Sequence, residues 1–135
     1  MIEDLKIRIQ LHEGYRPNVY VDSMGFLTAG YGHAFLVGSK ISHDVAELLF
    51  REDFEDAVRK YKKLDLDLDP IREGVVIEMI YQLGLSGVRG FQRMLMALKV
   101  KDYDKASEEM LDSLWASQTR YRARKLAKIM MTGEV

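Results

Sequence analysis

Hydrophobic residues recur at helical spacing at the start of the chain. Ile2, Leu5, Ile9 and Leu11 stand among charges, which predicts an amphipathic helix ending near Gly14 with Glu13 at its end. The pattern then changes character. Val19, Tyr20 and Val21, then Phe26, Leu27 and Thr28, then Tyr31 are β-forming residues cut by Asp22, Gly25, Gly30 and Gly32, which predicts short strands joined by tight turns. Asp22-Ser23-Met24-Gly25 has the Asp-first, Gly-last composition of a β-turn, so Asp22 belongs at the mouth of a hairpin and Thr28 on its return strand.

Beyond residue 40 the helical period returns. Ser42 is an N-cap residue type with Asp44 in the first turn, and Val45, Leu48, Leu49, Ala57, Val58 and Tyr61 form an apolar stripe of a long helix ending near Lys62. From Leu64 to Pro70, Leu and Asp alternate. The density of Asp and the closing proline favour a linker over a strand, and a lobe boundary belongs there. From Ile71 to Leu83 the pattern is apolar on nearly every side (Val75, Val76, Ile77, Met79, Ile80), as expected of a helix surrounded by its neighbours. Gly84, Gly87 and Gly90 then break the chain. Phe91 to Val100, Tyr103 to Leu114 and Tyr121 to Met131 read as three further short helices ending before Gly133.

Length and charge narrow the class. At 135 residues the chain is a single-domain length that buries enough surface to need no disulfides, and it has no cysteine to make them. The net charge of -1 conceals an asymmetry. The acidic residues outnumber the basic ones between Asp44 and Asp69, whereas Arg120, Arg122, Arg124, Lys125 and Lys128 face only Glu134 near the C-terminus. That basic run raises the possibility of a nucleic-acid module, but the acidic long helix and near-zero net charge argue against a sustained phosphate footprint. The N-terminal segment, with acidic residues at positions 3 and 4 and no continuous apolar core, does not read as a signal peptide, and no stretch has the length of a membrane span. His12, His33 and His43 are not paired at helical spacing, so no metal site is expected.

The chemistry-bearing residues cluster in the first third. Glu13 and Asp22 are two carboxylates held on either side of a hairpin entry, and Thr28 adds a hydroxyl able to place a water. Paired carboxylates of this kind are the minimum equipment for hydrolysing a glycosidic bond. Taken singly, each residue has an ordinary use: a glutamate at a helix end is commonly solvated, and an aspartate in a turn commonly shapes the turn.

Glu13, eight residues, Asp22, five residues, Thr28, then Gly30-Tyr31-Gly32-His33, resembles the catalytic region of the phage-type lysozymes. Leu48 to Asp53, Met79 to Gly84, Gly87 to Phe91, and Trp115 to Thr119 through Arg122 resemble that family's later segments in the same order. The resemblance covers nearly the whole chain. It implies a muramidase that cleaves the β-1,4 bond between N-acetylmuramic acid and N-acetylglucosamine in peptidoglycan, without a cofactor. Glu13 would be the general acid, a role that calls for partial burial to keep its proton. Asp22 with Thr28 would position and activate the water that attacks with inversion. Arg122 looks like the arginine that pairs with the catalytic glutamate, and His33 like a histidine paired structurally with Asp53.

Gln82, Tyr81 and Phe91 fall where the family lines its saccharide cleft. Gln82 has an amide suited to acetamido or hydroxyl groups, whereas Tyr81 and Phe91 suit the core equally well. Ala34 stands near the same cleft where the family pattern has a leucine; Glu78 replaces an asparagine and Leu114 an arginine. The connector from Ala34 to Lys40 is shorter than the family's.

The fold these features imply is α+β and mostly helical, a two-lobed lysozyme-like single domain over residues 1–135. The small β-hairpin lobe is expected over about 14–61. The larger helical lobe takes residues 1–13, packed as its first helix, together with 62–135, and the long helix joins the two. The expected partner is the peptidoglycan polymer, met by a monomer, with no nucleic acid and no membrane insertion. Synthesis in a host bacterial cytoplasm and release to the wall through a separate holin-like protein accompany that reading, with a tail-borne role and a non-catalytic wall-binding or phage structural module as alternatives.

Overall fold

The computed structural model describes residues 2–135, and its contacts group them into two units, one up to His43 and the other from Asp44 onward. In the first unit, α1 (Ile2–Glu13) leads into an antiparallel sheet of β1 (Arg16–Val21), β2 (Leu27–Gly30) and β3 (His33–Ala34), in that order. Tyr20 pairs with Thr28 and Val21 with Leu27, with an irregularity before Tyr20; on the other edge of β2, Thr28 pairs with Ala34 and Ala29 with His33. Thr28 is thus flanked by strands on both sides. At 2% exposure it is the one buried residue among the described residues of this unit. A helix and a hairpin of this length have little surface to hide on their own.

The β1–β2 turn follows the tetrad. Asp22 N–H donates to the Phe26 carbonyl at 2.8 Å and Gly25 N–H to the Asp22 carbonyl at 3.0 Å. These bonds enclose Ser23, Met24 and Gly25 as a three-residue loop, and Gly25 supplies the left-handed position at φ 88° that such a loop needs.

The second unit is helical: α2 (His43–Lys62), α3 (Pro70–Arg89), α4 (Gln92–Lys99), α5 (Tyr103–Leu111), α6 (Leu114–Gln118) and α7 (Arg120–Thr132). Asp69 caps α3 by accepting from Arg72 N–H, with Pro70 at the first helical position, where its missing N–H has no helical partner to lose. Gly84, at φ 77° and ψ 167°, is non-helical and divides α3 into two helical stretches at a kink, a break its glycine predicts. The core is built from Val76, Met79, Val88, Met94, Leu98, Met110 and Met130, with Trp115 at its edge; the unbranched methionines fill the space between short helices.

By its contacts α1 groups with the hairpin and buries none of its residues, while α2 groups with the helices that follow it. Two expectations are corrected. First, the stripe of α2 is buried only at Ala57 and Tyr61, while Val45, Leu48 and Leu49 are exposed. Second, the stretch expected as one helix from Tyr103 to Leu114 stops at Leu111. A separate short helix, α6, begins after Ser113, whose hydroxyl accepts from Ala116 N–H.

Candidate functional site

Asp22 ends the hairpin's first strand, and the turn itself fixes its carboxylate. Oδ1 accepts from Met24 N–H at 2.9 Å and from Phe26 N–H at 2.8 Å, while Oδ2 lies 3.4 Å from the Thr28 hydroxyl. The Phe26 N–H is the main influence holding the Asp22 carboxyl below the usual carboxylate range. The N–H groups of Met24 and Gly25 and the Thr28 hydroxyl act the same way, against a partial desolvation that pulls upward. One oxygen is therefore committed to backbone donors and the other is left toward Thr28.

Thr28 is held just as locally. Its hydroxyl donates to the Phe26 carbonyl at 3.0 Å, a shorter contact than the one to Asp22. The single hydrogen of the hydroxyl is shared between the Phe26 carbonyl and Asp22 Oδ2, and its two lone pairs keep acceptor capacity beside the carboxylate. A water lodged there would give one hydrogen to the threonine and the other to the carboxylate.

Glu13 closes α1, and Gly14, at φ 72°, turns the chain into the sheet with its N–H on the Gln10 carbonyl at 2.8 Å. Its side chain meets the second turn of the sheet: a Cβ built on Gly32 would stand 2.6 Å from Glu13 Oε2. Glu13 therefore lies against the β2–β3 turn, in the same unit as Asp22 and Thr28. Glu13 is exposed, where partial burial was expected, because it is the terminal residue of a helix with no buried positions.

Ala34 is the register partner of Thr28, and His33 packs edge-on against Phe35 with ring centroids 4.8 Å apart. The remaining candidates are in the helical unit. Gln82 Oε1 accepts from Trp115 Nε1 at 2.9 Å, so half of its amide faces the core. Phe91 is half-buried and edge-on to Trp115 at 6.0 Å, and both line an open cavity of about 540 Å³ with Arg93, Glu109 and Gln118. Tyr81 is exposed and tilted against Phe50 at 5.7 Å; with Asp53 and Asp56 it lines a smaller cavity of about 200 Å³. Arg122 Nε donates to Glu78 Oε2 at 2.8 Å, joining α7 to α3. Among the described residues no group of three His, Cys, Asp or Glu is placed to hold a metal ion.

Sequence reasoning passed over Gly32 and Glu78. Gly32 had a visible signal, its place in Gly30-Tyr31-Gly32-His33, while Glu78 showed only as a departure from the family pattern.

Comparison with known proteins identifies the family. The phage lysozyme family model matches residues 10–128. The chain is 26% identical to a probable T4-type lysozyme 1 of Dictyostelium discoideum, with 98% of this chain and 96% of that protein aligned, and 24% identical to a probable T4-type lysozyme 2 at the same coverage. It is also 30% identical to the pre-baseplate central spike protein Gp5 of Enterobacteria phage T4. There 91% of this chain aligns with 27% of the spike protein, so the likeness concerns about a quarter of that larger molecule. The match to the family model takes in Glu13, Asp22 and Thr28 and most of the helical unit; the chain belongs to the phage lysozyme family, the lysozyme-type peptidoglycan hydrolases.

Proposed function

We propose that this chain cleaves the β-1,4 bond between N-acetylmuramic acid and N-acetylglucosamine with inversion at the anomeric carbon. The observation that carries the reading is the Asp22–Thr28 pair: a carboxylate kept ionised by two backbone N–H groups, with its free oxygen 3.4 Å from a buried hydroxyl. Glu13 gives its proton to the departing O4 of the glucosamine residue as the glycosidic bond breaks. A water between Asp22 Oδ2 and Thr28 Oγ1 attacks the muramic anomeric carbon from the opposite face and passes a proton to Asp22. Solvent then restores both carboxyls.

The other residues take supporting parts. Arg122, held by Glu78 at 2.8 Å, is a supporting residue, as are His33 and Asp53. Gln82, Tyr81, Phe91 and Ala34 are substrate-binding residues. The enzyme acts as a monomer, made in a bacterial cytoplasm and let through to the wall by a separate hole-forming protein. The likeness to a spike protein favours a second mode of delivery, on a phage tail.

Mass analysis of borohydride-reduced peptidoglycan digests tests the bond. Muramitol ends are expected, and glucosaminitol ends, anhydro ends or cut peptides would overturn the assignment. Proton NMR of the fresh digest tests the stereochemistry: the α-anomer is expected first, whereas initial β-anomer would mean retention. Retained clearing of cell walls by Glu13→Gln would remove Glu13 from the acid role.

A further inference from the structure

Five glycines of the first unit, Gly14, Gly25, Gly30, Gly32 and Gly38, have φ between 67° and 88°, the left-handed region that L side chains rarely adopt. Four of them have nothing within 4 Å of where a Cβ would stand, so backbone conformation alone accounts for glycine there. Gly32 is different. Its Cβ would stand 2.6 Å from Glu13 Oε2, 3.0 Å from Cδ and 3.4 Å from Cγ, so the whole end of the glutamate side chain lies in the space a side chain at Gly32 would fill.

We infer that Gly32 is a positioning residue for Glu13: the bare α-carbon is the seat against which the carboxyl is held over the hairpin. The inference rests on the acid role proposed above and says what fixes the direction of that acid. The atoms a new side chain would strike are the far end of a flexible glutamate, so the fold would yield by turning Glu13 away. Stability would then register little beyond the backbone strain, while the proton donor would leave its place. Misplacement of a catalytic group by about 1 Å lowers a rate by as much as about 10²-fold.

Gly30 is the built-in control, because Gly30→Ala adds the same methyl at φ 67° with nothing to strike. Gly32→Ala and Gly30→Ala are expected to lower the melting temperature similarly, while Gly32→Ala lowers kcat at least about tenfold further with KM little changed. The Glu13 carboxyl ¹³C resonance is expected to move in Gly32→Ala and to hold in Gly30→Ala. Equal kcat losses in the two variants, or an unmoved Glu13 resonance in Gly32→Ala, would overturn the inference. Should Gly32→Ala fail to fold, Gly32→Asn against Gly30→Asn makes the same comparison, since asparagine tolerates the left-handed region. The carboxyl resonance reports on the contact even if Glu13→Gln retains hydrolysis, so failure of the acid assignment and failure of the seat are told apart.

Discussion

The indole N–H of Trp115 donates to Gln82 Oε1 at 2.9 Å, tying α6 to α3 at the edge of the core. Trp115 is 4% exposed, so this glutamine oxygen satisfies a buried donor. Gln82→Leu strands the indole and is expected to lower stability by about 1–3 kcal/mol in urea unfolding. Gln82→Glu keeps an acceptor for the indole while removing the amide N–H donors, so it is expected to cost less stability than Gln82→Leu and, with Gln82 binding substrate as proposed, to raise KM on peptidoglycan. A change of stability within about 0.5 kcal/mol for Gln82→Leu would mean that the bond carries no weight.

The Asp22 environment sets a pH dependence. The Phe26 N–H above all holds its carboxyl below the ordinary value, so around pH 4 the folded protein binds fewer protons at Asp22 than the unfolded chain. This contribution to stability is fully present above the unfolded value and is lost as pH falls through the lower, folded one. The acid limb of the activity profile is expected at the same low position. Thr28→Val removes one of the lowering contacts and should move that limb upward while reducing kcat about tenfold, the worth of roughly 1.4 kcal/mol of water placement. Thr28→Ser should restore the limb; an unmoved limb in Thr28→Val would separate the threonine from Asp22.

What the sequence made legible was local. The turn at Asp22 to Gly25 and the reach of α1 and α2 each depend on residues a few positions apart, and all are present. The meeting of Asp22 and Thr28 was legible for the same reason: one turn brings them together. The five-residue helix α6 escaped because it is too short to show a period. The seat of Glu13 on Gly32 and the Arg122–Glu78 pair join residues far apart in sequence, and no periodicity encodes such meetings.

Arg72 clasps the end of α7. Its Nε donates to the Met130 carbonyl at 2.6 Å, one terminal nitrogen donates to the Met131 carbonyl at 3.1 Å and the other to Asp69 at 3.0 Å, while the guanidinium lies 3.6 Å over the Tyr103 ring. Carbonyls in the last turn of a helix have no helical partner, and a planar cation supplies several bonds at once. Arg72→Ala is expected to destabilise by about 2–4 kcal/mol, from the charged hydrogen bonds and the ring contact together. Arg72→Lys should recover only part, because an ammonium cannot reproduce the fork. Gly133, left-handed at φ 74°, has its missing Cβ within 2.9 Å of the same guanidinium, so Gly133→Ala should strain both cap and clasp. Equal unfolding midpoints for Arg72→Ala and the native protein would dismiss the clasp.

Arg122 and Glu78 face each other at 2.8 Å with 41% and 45% of their side chains exposed. An ion pair this open contributes little, so Glu78→Gln is expected to change stability by less than about 1 kcal/mol. Arg122→Ala removes the same bond from the other side and should likewise cost no more than about 1 kcal/mol beyond the packing of the arginine stem. Urea unfolding of the two single variants and of the double variant measures the coupling between them: a coupling energy above about 2 kcal/mol would make the Arg122–Glu78 pair a principal link between α7 and α3 rather than a weak one.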